Sequence, residues 1–165
     1  MTIKSMSAVR VGDRLPELQV EVTAKTIIMG ATGSRDWQPI HHDRDYARSQ
    51  AGLPDIIMNN YTQAGWLSRY VSDWAGSEAR VSRLRFAMKK PICPGGKMVF
   101  RGRVKGLTEQ AGCIWFDLAI TISVAAEVVT ESAVQVVIAA ENSPWSFTDN
   151  AWADLLLAQG DQAMG

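Results

Sequence analysis

The sequence is poor in cysteine. Cys93 and Cys113 are the only two in 165 residues, too few for a disulfide-stapled scaffold and without the paired spacing of a zinc site. It has no excess of charge of either sign, with 17 Lys and Arg against 17 Asp and Glu, so no global field draws it to nucleic acid or to an anionic membrane. It also lacks a long apolar run: the longest apolar stretches fall well short of the ~20 residues that cross a bilayer. The opening Met1-Thr2-Ile3-Lys4-Ser5-Met6 has no apolar core of the kind that directs export. Together these absences predict a chain of the reducing cytoplasm, with no nucleic-acid or membrane partner and no metal or redox cofactor. An anionic ligand would have to be met by a local patch.

What is present is a globular composition, 47% hydrophobic and 21% charged, which excludes disorder and fibrous repeats. A chain of this length supports one core that buries about 70% of its unfolded surface. We read residues 1–142 as a single domain and residues 143–165 as a C-terminal extension.

Leu18-Gln19-Val20-Glu21-Val22 alternates apolar with polar as a strand does. Thr23 or Thr26 then caps a short helix through Ile27, Ile28 and Met29, ending near Gly30 or Gly33. The following loop cannot be helical at Gln38, because a residue before proline is pushed to extended geometry, and Asp43 is placed to cap the next helix. Residues 60–75 form the strongest helical candidate. Tyr61, Ala64, Trp66, Leu67, Tyr70, Val71 and Trp74 cover most of its circumference, which predicts a buried helix filled out by Trp66 and Trp74 and stopped by Gly76. Beyond it the period changes to that of strands over 81–90, 98–107, 113–124 and 132–140, with connections at 91–96, 108–112 and 127–131. Short connections between long strands predict an antiparallel meander, and with one central helix before it the class is α+β. In the extension, Asp149 as cap, Trp152, Leu155 and Leu156 on one face and Gly160 as stop predict one short helix that packs on the sheet or on a partner.

The densest cluster of reactive side chains is Asp36, His41, His42 and Asp43, on a proline-containing loop of the kind that carries catalytic groups. A carboxylate and an imidazole five positions apart across a proline turn can address one water, the neutral ring accepting its proton while the carboxylate orients it. Spacing alone leaves a structural reading open, with Asp36 buttressing the loop and the histidines at the surface.

The run Gly33-Ser34-Arg35-Asp36-Trp37-Gln38-Pro39-Ile40-His41-His42-Asp43 resembles the hydratase motif of MaoC-like, (R)-specific enoyl-CoA hydratases, Gly-Asp-x-Asn-Pro-Ile/Leu-His-x-Asp. Val11-Gly12-Asp13 is similar to that family's opening, and Phe86 to Gly96 to its strand and turn, so the resemblance covers roughly residues 10–140. It implies the hot-dog fold, a curved antiparallel sheet wrapped around one long helix. It implies that Asp36 and His41 are the catalytic pair that holds the water added across a 2-enoyl thioester, that Asp43 is structural and that His42 is a surface residue. The implied substrate is an acyl-CoA or acyl carrier protein thioester, coenzyme A being part of the substrate rather than a cofactor, and the implied assembly is a homodimer or larger.

Two departures stand out. Gln38 replaces the family's Asn, keeping the amide with one more methylene. Met58-Asn59-Asn60-Tyr61-Thr62 replaces its His-Gly, where the glycine N–H donates to the thioester carbonyl. The N–H of Asn59 can serve instead, helped by the helix dipole, while Asn60 is a candidate N-cap. Gln38, Trp37, Asn59 and Asn60 are therefore substrate-binding candidates, Trp37 as a wall of the site that raises the pKa of Asp36 by desolvation. Residues 80–105 contain nine Lys or Arg and no Asp or Glu, a surface suited to the phosphates of coenzyme A or simply the solvated face of the strands. The alternatives to a hydratase are a hot-dog thioesterase and a non-catalytic acyl-CoA-binding subunit of a heteromeric dehydratase.

Overall fold

The computed structural model describes residue 6 and residues 8–110 and 113–139; the helix predicted within 143–165 lies outside them. In chain order the elements are β1 (Leu18–Glu21), α1 (Ala24–Gly33), a 3₁₀ turn (Pro39–His41), α2 (Arg44–Ser49), α3 (Asn60–Ala75), β2 (Ala79–Met88), β3 (Lys97–Gln110), β4 (Cys113–Val124) and β5 (Glu127–Ala139). Local chemistry sets most boundaries. Thr23 caps α1 in a reciprocal pair with Thr26, Asp43 caps α2, and Gly76, at φ 88°, takes the left-handed conformation that ends α3.

The five strands form one antiparallel sheet in the order β1-β3-β4-β5-β2. This corrects the expected four-strand meander. Only β3, β4 and β5 are joined as successive hairpins, while β2 pairs with β5 at the far edge. The connection through Pro91 and Pro94 is long enough to carry the chain from that edge to β3. The connection expected at 127–131 is itself strand: β4 turns into β5 through Ala125 and Ala126 alone, at φ 50° and 65°, the two-residue geometry whose twist matches the strands.

One face of the sheet packs on α3. Phe100, Phe116, Leu118, Ile120, Ile122, Val134, Val136 and Ile138 meet Leu67, Tyr70, Val71 and Trp74 in the core, with Trp74 set edge-on to Phe116 at 5.6 Å between ring centroids. The helix is buried on that side only. Tyr61, Gly65, Arg69, Ser72 and Asp73 are exposed, and Trp66 is half-buried beneath the Arg69 guanidinium rather than in the core centre. Beside α3 runs α1, and the crossing is close: a Cβ on Gly30 would lie 2.1 Å from Thr62 Oγ1, so only a glycine admits this approach. Among the described residues no helix is long and apolar enough to cross a membrane.

Candidate active site

The close α1–α3 crossing brings the end of α1 to the start of α3, and the site is built there. Ser34 closes α1 by donating its hydroxyl to the Gly30 carbonyl at 2.8 Å. Arg35 then reverses the chain at φ 56°, and the Asp36 N–H returns to the Ala31 carbonyl at 2.9 Å. Asp36 Oδ1 accepts the Gln38 N–H at 3.4 Å, the side-chain turn that Asp favours before proline. Pro39 opens the 3₁₀ turn, whose first N–H would have no partner in any case, and the turn delivers His41 inward, 6% exposed.

His41 Nε2 lies 3.3 Å from Asp36 Oδ2. Its other ring nitrogen, Nδ1, stands 2.7 Å from the Ile57 carbonyl oxygen. A carbonyl only accepts, so Nδ1 carries the hydrogen, and in the neutral ring Nε2 is the bare acceptor facing the carboxylate.

Asn59 completes the cluster with both ends of its amide. Its Oδ1 accepts the Thr62 N–H at 2.9 Å, making Asn59 the N-cap of α3. Its Nδ2 donates to Asp36 Oδ2 at 3.0 Å and to Ser34 Oγ at 2.8 Å. The side chain is 3% exposed, so these bonds form largely out of water. They hold the Asp36 carboxyl below its ordinary range: the Asn59 hydrogen bond is the largest cause, burial opposes it, and the Gln38 N–H and His41 add to the lowering. The Asn59 N–H itself makes no hydrogen bond among the described residues and sits at the positive end of α3.

The fold thus gathers Asp36, His41 and Asn59 and leaves the other candidates outside. Asn60 is exposed; its side chain accepts the Tyr61 N–H, and it is not the cap. Gln38 is exposed and shapes the loop through its backbone, accepting the His41 N–H and donating to Asp36. Trp37 is 67% exposed, and the expected rise of the Asp36 pKa is a fall because the Asn59 hydrogen bond outweighs the desolvation that opposes it. His42 is exposed, and Asp43 caps α2 by accepting the Tyr46 N–H at 2.9 Å, both as read from the motif. Ser34 and the Ile57 carbonyl were not foreseen. Ser34 lies within the motif run, but nothing local marks Ile57.

In the basic stretch Lys89, Lys90, Lys97 and Arg101 pair with Glu131, Glu127, Glu21 and Glu17, acids from β5, from β1 and from the residue just before β1. Arg83, Arg85, Arg103 and Lys105 sit on the sheet face turned away from α3. Among the described residues no three of His, Cys, Asp and Glu gather as a metal ion would require.

A family model described as MaoC like domain matches residues 8–126. The 3-oxo-4,17-pregnadiene-20-carboxyl-CoA hydratase beta subunit of Mycobacterium tuberculosis is 36% identical over 99 residues, 60% of this chain and 76% of that one. Among solved structures, the ChsH1-ChsH2 complex from Mycobacterium tuberculosis matches with a TM-score of 0.72 at 30% identity, covering 79% of this chain and 98% of that chain. The (R)-hydratase from A. caviae involved in PHA biosynthesis matches in fold, with a TM-score of 0.69 at 19% identity over 78% of this chain and 96% of that chain. The five-stranded sheet on one long helix is the hot-dog fold of these neighbours.

Proposed function

This chain belongs to the MaoC-like domain family, and from that premise we propose that it is a hydro-lyase interconverting trans-2-enoyl and (R)-3-hydroxyacyl thioesters, with coenzyme A as the thiol of the substrate. The observation that carries the reading is the meeting of Asp36 and His41 at 3.3 Å beside the start of α3. Adding water to an enoyl thioester requires a group that takes a proton from water, a donor for C2 and a dipole for the negative charge that grows on the thioester oxygen.

Each requirement has a residue. With Nδ1–H engaged by Ile57, His41 Nε2 is the basic nitrogen, and Asp36, kept ionised by Asn59, orients the water alongside it. Water oxygen bonds to C3 as one of its protons passes to the pair; the C2–C3 π electrons move toward the carbonyl, and a proton returned from the pair to C2 completes the addition. The Asn59 N–H donates to the thioester oxygen while that charge lasts. Water is the only co-reactant, so the step calls on no redox group.

A second reading rests on a specific observation: the 36% identical relative is named a beta subunit, and the 30% identical structure is a complex of two chains. On that reading this chain supplies Asp36 and His41 while a second MaoC-like chain completes the acyl pocket. Exposed Met29, Trp37 and Tyr61, at 61%, 67% and 61%, give such a partner apolar surface near the site.

The test is to follow loss of enoyl absorbance with short- and long-chain trans-2-enoyl-CoAs, with thiol release monitored in parallel. Hydration without thiol release is expected, falling about 10²–10⁴-fold in Asp36→Asn and in His41→Ala. Turnover that survives both substitutions refutes the assignment, and thiol release turns it into a thioesterase. Turnover that appears only on adding a second MaoC-like chain selects the heteromeric reading.

A further inference from the structure

The sheet carries a second buried apolar spot that α3 does not reach. Along β4, Phe116, Leu118, Ile120 and Ile122 point into the core, so alternation turns Trp115, Asp117 and Ala119 to the opposite face. Trp115 stands across from Val137 of β5, whose neighbours Val136 and Ile138 are core residues, so Val137 is on that outer face as well. Neither belongs to the core cluster, yet Trp115 is 2% exposed and Val137 0%. The Trp115 indole N–H is also buried, with no acceptor among the described residues, although buried indoles usually find one.

Next to this spot a groove of about 400 Å³ runs along the outer face, lined among others by Arg83, Arg85, Trp115 and Asp117. Arg83 and Arg85 form no ion pair among the described residues, and Asp117 accepts from the Gln135 amide. The surface is therefore apolar at one end and carries two arginines against one aspartate along its length, with a hydrogen-bond donor waiting for an acceptor.

We propose that this face is the docking site of the chain's own C-terminal segment, residues 143–165. Continuity places the segment there. The strand β5 ends at Ala139, opposite Cys113, two residues beyond Val137 and on the strand next to Trp115. Composition matches as well: the segment offers Trp145, Phe147, Trp152, Leu155 and Leu156 together with Asp149, Asp154 and Asp161, and it has no Lys or Arg. Length agrees too. A helix over 149–160 spans about 18 Å, close to the ~20 Å of strand between Ala139 and Ala133, the residue opposite Arg85. In the docked arrangement the aromatic and leucine side chains cover Trp115 and Val137, an oxygen of the segment accepts the indole N–H, and Asp149 and Asp154 lie against Arg83 and Arg85.

Hydrogen exchange of the full chain, read by mass spectrometry over residues 145–157, tests this. Amides there should exchange at least about tenfold slower than an unstructured chain, at a rate independent of protein concentration. The double charge reversal Arg83→Glu/Arg85→Glu should abolish that protection without changing exchange in α3, and adding Asp149→Lys/Asp154→Lys to it should restore it. The Asp149→Lys/Asp154→Lys change alone should give the same loss. Unprotected amides in the unaltered chain overturn the proposal, as does protection indifferent to both reversals. Protection that grows with concentration or needs an added chain also overturns it, since the segment would then be docking on another molecule.

Discussion

Replacing Asn59 with alanine removes three hydrogen bonds at once: the cap on the Thr62 N–H and the donations to Asp36 and Ser34. Losing an N-cap costs about 1 kcal/mol, and losing a hydrogen bond to a charged group about 1.5–3 kcal/mol. The Asp36 side chain is 16% exposed, so water reaches it and the lower end of that second range applies. The sum is about 2–3 kcal/mol, or a fall in Tm of roughly 4–12 °C for a domain of this size. The pH dependence is the sharper test. The Asp36 carboxyl lies below its ordinary range, chiefly through Asn59, so its contribution to stability is present above the unfolded carboxyl's pKa and is lost as pH falls through the folded one. In Asn59→Ala the folded pKa moves back up and that contribution shrinks. The stability gap between the two proteins should therefore be full at neutral pH and narrow in acid. Urea unfolding at neutral pH and near pH 3 measures it. A gap of the same size at both pH values would refute the assignment of Asn59 as the group that keeps Asp36 ionised.

Two further outcomes follow from packing and burial. Gly30→Ala forces a Cβ against Thr62 and should cost about 1–3 kcal/mol in urea unfolding; Thr62→Ala in the same chain should recover part of it, giving a non-zero coupling energy in a double-mutant cycle. Additive costs would mean that the two helices do not touch there. The thiols of Cys93 and Cys113 are both pushed up by burial, so reaction with a disulfide reagent should be slow at neutral pH and accelerate only above the ordinary thiol range. Fast reaction near neutrality would contradict the half-buried setting of both.

What was legible in the sequence is what local chemistry determines. The helix over 60–75, the cap at Asp43 and the stop at Gly76 depend on neighbours within a turn, and all three stand as read. The meeting of Asp36 with His41 was left open by spacing alone, and it was the resemblance of the motif that singled out the pair, which stands at 3.3 Å. The role of Asn59 was not legible, because the partners of its amide nitrogen lie 23 and 25 residues away, and Asn59 and Asn60 are equally good caps by composition. The early start of β5 was hidden by a turn made of two alanines at positive φ, where the familiar signal is Asn-Gly or Asp-Gly. The pairing within the basic stretch was hidden for a related reason: its acids come from β5, from β1 and from the residue before β1, so only strand register shows that four of its cations are paired.

The two departures from the family motif have unequal weight once the contacts are known. Gln38 shapes the loop through its backbone, which accepts the His41 N–H and donates to Asp36. Asn59 is different, because where the family's glycine can offer only its N–H, this side chain adds a tie from the helix start to the acid. Ile57, two residues earlier, supplies the carbonyl that sets the His41 tautomer. Both members of the pair are thus oriented by residues 57–59, and Ser34 links the same segment to the end of α1. The pair is not simply presented by a loop. It is clamped between two helix ends whose approach depends on the missing side chain of Gly30, so the chemistry at Asp36 and His41 and the packing of α1 on α3 should respond to perturbation together.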